Sequence, residues 1–112
     1  QVMGSMYSLT FDPDAPKNSW KRAILSADAI NEAFGGFLRT YDIRDQLPKI
    51  KAPTLVIGAR HDWICAPEFS EEIAALIPIS DLRIFENSGH GVRADEPEAL
   101  LDAIAGFIVY KR

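Results

Sequence analysis

The sequence predicts an α/β layered fold. Short, apolar, β-branched runs alternate with stretches whose apolar residues recur at helical spacing, and the order along the chain is strand, helix, strand, helix. That alternation favours parallel strands joined by a right-handed crossover. Size sets the scale: 112 residues, 47% hydrophobic and 25% charged, make one small ordered globular unit at most.

Residues 1–18 contain Gly4, Pro13 and Pro16, with Asp12 and Asp14 flanking a proline; this is turn and linker chemistry, and no regular structure is expected there. From Ser19 the pattern changes. Trp20, Ala23, Ile24, Ala27, Ile30 and Phe34 recur at three- and four-residue spacing and predict one helical face, capped by Ser19 and ended by Gly35 and Gly36. The run TLVIG at 54–58, preceded by Pro53, predicts a strand buried on both faces. Pro67 suits the first turn of a second helix, whose stripe of Phe69, Ile73, Leu76 and Ile77 is stopped by Pro78. LRIFE at 82–86 predicts the second strand. After the loop NSGHGVRADE, Pro97 opens a last helix with Leu100, Leu101, Ile104, Phe107 and Ile108 on one face. Two strands alone make a poor independent sheet, so the pattern reads as the end of a larger one.

Composition narrows the partners. Twelve Lys and Arg against 16 Asp and Glu give a net charge of −4, and no basic cluster is interleaved with aromatics, which argues against nucleic acid. No apolar run approaches the roughly 20 residues a membrane span needs. The single cysteine cannot form an internal disulfide and fits a reducing compartment, so a cytoplasmic location is expected. The amino terminus lacks an initiating Met and a signal-peptide pattern, and reads as a chain cut in mid-sequence.

In an open parallel sheet, functional groups gather just beyond the carboxyl ends of the strands. Asp62 in GARHDWICAP follows the first strand and His90 in ENSGHGV follows the second. Adjacent strand ends bring such loops within side-chain reach. A carboxylate there accepts a hydrogen bond from one imidazole nitrogen, fixes the tautomer and leaves the other nitrogen as a general base. The glycines around His90 keep its loop narrow and the ring accessible.

At these residues the sequence resembles the carboxyl-terminal part of α/β-hydrolases, whose triad runs nucleophile, acid, histidine. The matching stretches are IKAPTLVIGARHDWICAP and LRIFENSGHGVRADEPEALLDAIAGFI. Within that superfamily, DWICAP resembles the proline iminopeptidases and their esterase-like relatives. The resemblance implies a βαβα end of the α/β-hydrolase parallel sheet over residues 45–112, with residues 1–44 as the end of a cap or lid region, a cap-type helix and a linker. It implies Asp62 as triad acid and His90 as triad base, Cys65 on the border of the substrate pocket, and Glu32 as a contact for a substrate amino group. One departure is Ala59, where the family commonly has glycine three residues before the acid. The other is the nucleophile: none of Ser5, Ser8, Ser19, Ser26, Ser70, Ser80 or Ser88 lies in a G-x-S-x-G elbow, and the oxyanion-hole loop is absent as well.

Plainer roles stand beside these. Asp62 and His90 fit a turn carboxylate and a solvated loop histidine, Cys65 a packed thiol, and Glu32 an exposed helix carboxylate. His61 fits a surface or supporting role. His61, Asp62, Cys65 and His90 match no C-x-x-C or H-E-x-x-H spacing, so neither metal nor cofactor is expected. The expected activity is that of a serine hydrolase acting on amino-terminal proline peptide bonds or related amides and esters. The alternatives are a carboxylesterase or lactonase of the same fold, and a non-catalytic fragment or scaffold. The expected partners are a small-molecule or peptide substrate and an amino-terminal part of the hydrolase supplying the serine. Alone, the chain is expected to be inactive.

Overall fold

In the computed structural model, the residues described are 7–10, 12, 14, 21 and 23–110. Strand β1 (Thr54–Ala59) and strand β2 (Ser80–Phe85) pair in parallel, in a register that runs from Thr54 opposite Ser80 to Ala59 opposite Phe85. Both strands thus end at the same level, and the backbone N–H of Arg60 extends the ladder by donating to the Phe85 carbonyl at 2.9 Å. The second strand begins two residues earlier than its apolar run, because Ser80 and Asp81 still pair with β1.

Helix α1 (Ala27–Gly35) precedes the sheet, α2 (Pro67–Leu76) joins the strands, and α3 (Val92–Asp95) and α4 (Pro97–Tyr110) follow. The strand, helix, strand, helix order is as the sequence predicts. The first helix starts later than expected: Ser26 is extended and its hydroxyl accepts the Ala29 N–H at 3.2 Å, so it takes the cap expected of Ser19. Ala23 and Ile24 lie before the helix, with Ile24 99% exposed, and Ser19 and Trp20 fall outside the described residues. The helix ends where Gly36 closes on the Glu32 carbonyl so tightly that a Cβ would overlap it. No described glycine has positive φ, so close approach rather than left-handed backbone explains these glycines. In the linker, the Asp14 N–H donates to Asp12 Oδ1 at 2.9 Å, the turn chemistry expected there.

Leu47, from a 3₁₀ turn at Leu47–Lys49, packs with Val56 of β1 and Ile77 after α2, and Ile50, Ala74 and Leu76 surround them. Burial of each large side chain there stabilises by about 1.5–3 kcal/mol. The core is small, and the Cα radius of gyration of 16.2 Å exceeds the roughly 13 Å of a compact chain this long. Strand β1 is buried or half-buried at every position, as expected of it, whereas Asp81, Leu82 and Arg83 of β2 are exposed. On α4, Leu100 and Phe107 are half-buried, but Leu101, Ile104 and Ile108 are exposed. The single expected face is therefore split. A two-stranded sheet meets only part of a helix that is apolar on more than one side.

One position tests the close packing of α2 on β1. A Cβ at Gly58 would come 2.7 Å from Ser70 Oγ and 2.9 Å from Ile84 Cδ1. Gly58→Val is expected to cost about 1–3 kcal/mol through overpacking, read as a lowered urea midpoint; an unchanged midpoint would contradict this packing.

Candidate active site

Beyond β1 the chain turns at Arg60 and His61, and the Asp62 N–H donates to the Ala59 carbonyl at 3.3 Å. Asp62 then folds its side chain over its own backbone: Oδ1 accepts the N–H groups of Ile64 at 2.9 Å and Cys65 at 3.0 Å. That Asx-type turn holds the carboxylate in one orientation. Its other oxygen, Oδ2, lies 2.9 Å from Nδ1 of His90. The Asp62 side chain is 9% exposed and that of His90 39%. Burial pushes the Asp62 carboxyl up, but the Cys65 amide, the His90 ring and the Ile64 amide together outweigh it and hold the group below its usual value of 3.8. An ionised carboxylate only accepts, so His90 Nδ1 carries the proton of this bond, and in the neutral ring Nε2 keeps its lone pair.

The His90 loop is held by contacts that the sequence reading missed. The His61 backbone N–H donates to the Ser88 carbonyl at 3.0 Å, tying the two loops together, while the His61 ring stays exposed. Ser88 is fully buried, and its hydroxyl donates to Glu96 Oε2 at 2.5 Å; the same oxygen accepts the Asn87 N–H at 3.1 Å. Asp95 Oδ2 accepts the Gly89 N–H at 2.8 Å, and its Oδ1 accepts from the Thr10 N–H and hydroxyl, each at 2.7 Å. The Gly91 N–H donates to the Tyr7 carbonyl at 2.7 Å, and a Cβ on Gly89 would come 3.0 Å from that carbonyl oxygen. The glycines beside His90 therefore admit the 7–10 segment. The Tyr7 ring lies edge-on to His90, with centroids 5.7 Å apart, and to Trp63 at 6.2 Å. The acidic pair before Pro97 was the available signal, but it reads equally well as an ordinary helix start.

Glu96→Ala leaves the buried Ser88 hydroxyl and the Asn87 amide without their acceptor, and is expected to cost about 1–3 kcal/mol of stability. Glu96→Gln, which keeps an acceptor oxygen, should cost less; equal losses in urea unfolding would contradict the assignment. Asp95 is also held below 3.8: burial raises it, but the Thr10 amide and hydroxyl and the Gly89 and Leu9 amides outweigh that effect. Between the folded and unfolded pKa values the unfolded chain binds more protons, so the stability from Asp62 and Asp95 is complete above the unfolded value of about 3.9 and is lost as pH falls through their folded values. Asp95→Asn is expected to flatten the acid limb of a stability-against-pH curve. An unaltered limb would count against the loop anchor.

Asp62, Cys65 and His90 come together, with one ligand-type atom from each within 4.8 Å of the others. Cys65 is exposed and free rather than packed. Glu32 stays on exposed α1, and no hydrogen bond among the described residues joins it to this group. A groove of about 570 Å³ runs between β2 and α4, lined in part by Leu55, Leu82, Ala103 and Phe107. Another of about 440 Å³ lies between residues 41–47 and α2. Neither includes Asp62, Cys65 or His90. Among the described residues no helix is long and apolar enough to cross a membrane.

No protein-family model matches the chain. It is 32% identical over 92% of its length to the proline iminopeptidase PfmaB of Pestalotiopsis fici, and 36% identical over 65% of its length to a proline iminopeptidase of Heyndrickxia coagulans. Among solved structures it is similar to an esterase of Exiguobacterium antarcticum, with a TM-score of 0.79, 31% identity and 96% of the chain covered. The chain spans 37% and 25% of the lengths of those two iminopeptidases and 41% of the esterase chain.

Proposed function

Since the chain belongs to the α/β-hydrolase superfamily and corresponds to a carboxyl-terminal segment of that fold, we propose that it supplies the acid and base of a Ser-His-Asp hydrolase, whose serine and oxyanion hole lie on residues outside it. The 2.9 Å contact between Asp62 Oδ2 and His90 Nδ1, at the level where both strands end, carries this reading. His90 Nε2 takes the proton of the attacking serine hydroxyl and then gives it to the departing amine or alcohol. Asp62 stays ionised and stabilises the imidazolium that forms in between, while its two amide donors keep it from rotating away. Water, deprotonated by the same nitrogen, releases the acyl group.

Likeness to two proline iminopeptidases favours an amino-terminal proline amide as substrate. The esterase likeness, which extends over 96% of the chain, favours a carboxylic ester and is the second reading; a lactone falls under the same chemistry. Cys65, exposed beside the pair, would then border the pocket, and Glu32 would approach a substrate amine only through a cap arrangement formed with further chain.

The test is a complementation assay. The 112-residue chain alone is expected to give no turnover of proline arylamides or short acyl esters, and activity should appear when a segment carrying G-x-S-x-G is supplied. Comparing the two substrates in that assembly separates the two readings. Turnover by the chain alone that disappears in His90→Ala would overturn the division of the triad. A chain that stays inert with every such segment would favour a non-catalytic scaffold.

A further inference from the structure

We infer that Asp62, Cys65 and His90 form a binding site for one borderline-soft divalent cation of the Zn²⁺ class. Their spacing along the chain matches no metal-binding pattern, but the fold brings a carboxylate oxygen, a thiol sulfur and an imidazole nitrogen within 4.8 Å of one another. Tetrahedral zinc, with bonds of about 2.0–2.3 Å, places its ligand atoms roughly 3.3–3.8 Å apart. The separations close by at most about 1–1.5 Å, within reach of a rotation of the exposed Cys65 side chain about its Cα–Cβ bond, while the Asp62–His90 pair, now at 2.9 Å, opens by about 0.4 Å or more.

The donor set selects the metal. A thiolate with an imidazole and one carboxylate suits zinc and disfavours calcium and magnesium, which prefer all-oxygen shells. The site is also largely built in advance. The Asp62 carboxylate is fixed by the Ile64 and Cys65 amides, and the turn that fixes it carries Cys65 alongside. His90 arrives from the other loop, which is anchored through Gly89 to Asp95 and through Ser88 to Glu96. Binding through His90 Nδ1 transfers the proton on that nitrogen by way of solvent to Nε2 and breaks the hydrogen bond to Asp62, releases the Cys65 thiol proton to solvent, forms the nitrogen–metal, sulfur–metal and carboxylate–metal bonds, and leaves the fourth position to water. Zinc here would engage the imidazole, so in an assembly where His90 acts as base the metal would be a reversible inhibitor. The binding itself does not depend on that catalytic role.

Titrating the chain with zinc chloride against a chromophoric chelator tests the site. The expected result is one zinc per chain, with Cys65→Ser and His90→Ala each weakening binding by more than about tenfold, since losing even an outer partner of a metal ligand costs about 10–100-fold. With cobalt(II) in place of zinc, a thiolate charge-transfer absorption should appear in the wild-type chain and be missing from Cys65→Ser. His61→Ala should bind as wild type does. All three side chains are exposed, so far-UV circular dichroism of each variant should match the wild type. Absence of one-to-one binding, or binding that survives both Cys65→Ser and His90→Ala, would overturn the inference.

Discussion

Replacing His90 by alanine, in the assembly that supplies the missing serine, is expected to lower kcat by about 10⁶-fold, the scale seen when a triad base is removed from a serine hydrolase. The effect should fall on kcat far more than on KM, because Nε2 acts on the proton in flight and not on the bound substrate. The ring is 39% exposed and the contact it makes with Asp62 is near the surface, so the alanine variant should fold as the wild type does. Stopped-flow or endpoint hydrolysis, with circular dichroism as the folding control, checks this. A loss of only tenfold would mean that His90 is a loop residue rather than the base.

Asp62→Asn is expected to cost about 10⁴-fold in kcat. The amide is nearly the same size, and its carbonyl can still accept the Ile64 and Cys65 N–H groups. Its NH₂ then faces His90 Nδ1, where Oδ2 had been. An amide nitrogen donates, so Nδ1 becomes the acceptor and the proton moves to Nε2, the atom that must take the serine proton. The variant thus keeps the geometry and inverts the tautomer. It also lacks the negative charge that stabilises an imidazolium. A variant with full activity would show that the Asp62 contact is incidental.

Much of the fold was legible in the sequence. The β-branched run before Gly58 and the proline at position 67 mark β1 and α2 because strand pairing and helix initiation act over a few residues. The start of α1 was not legible: the apolar spacing runs on from Trp20 to Phe34, and the choice of Ser26 over Ser19 as the cap depends on where the chain before it lies. The exposure of Leu82 on β2 and of Leu101, Ile104 and Ile108 on α4 was not legible, because apolar character alone does not say whether a face is covered.

For the candidate site, Asp62 and His90 were found because parallel strands in register bring their following loops together, and that follows from topology alone. The anchors were not. Asp95 and Glu96 reach back to Gly89 and to Ser88 and Asn87, and Tyr7 meets His90 from more than 80 residues away; contacts of that kind leave no periodic trace. The resemblance marks Cys65 only as a pocket border, and its spacing along the chain gives no sign that its sulfur lies within 4.8 Å of ligand-type atoms of Asp62 and His90.

The claim on which the rest depends is that Asp62 holds His90 as the Nδ1–H tautomer with Nε2 free. Nitrogen-15 NMR of the imidazole of His90 reads this directly in the chain as it stands, with His61→Ala leaving a single histidine to assign. With the ring neutral, a protonated Nδ1 and a pyridine-like Nε2 are expected in the wild-type chain, and the reverse in Asp62→Asn. A protonated Nε2 in the wild type, or a spectrum indifferent to Asp62→Asn, would contradict that claim.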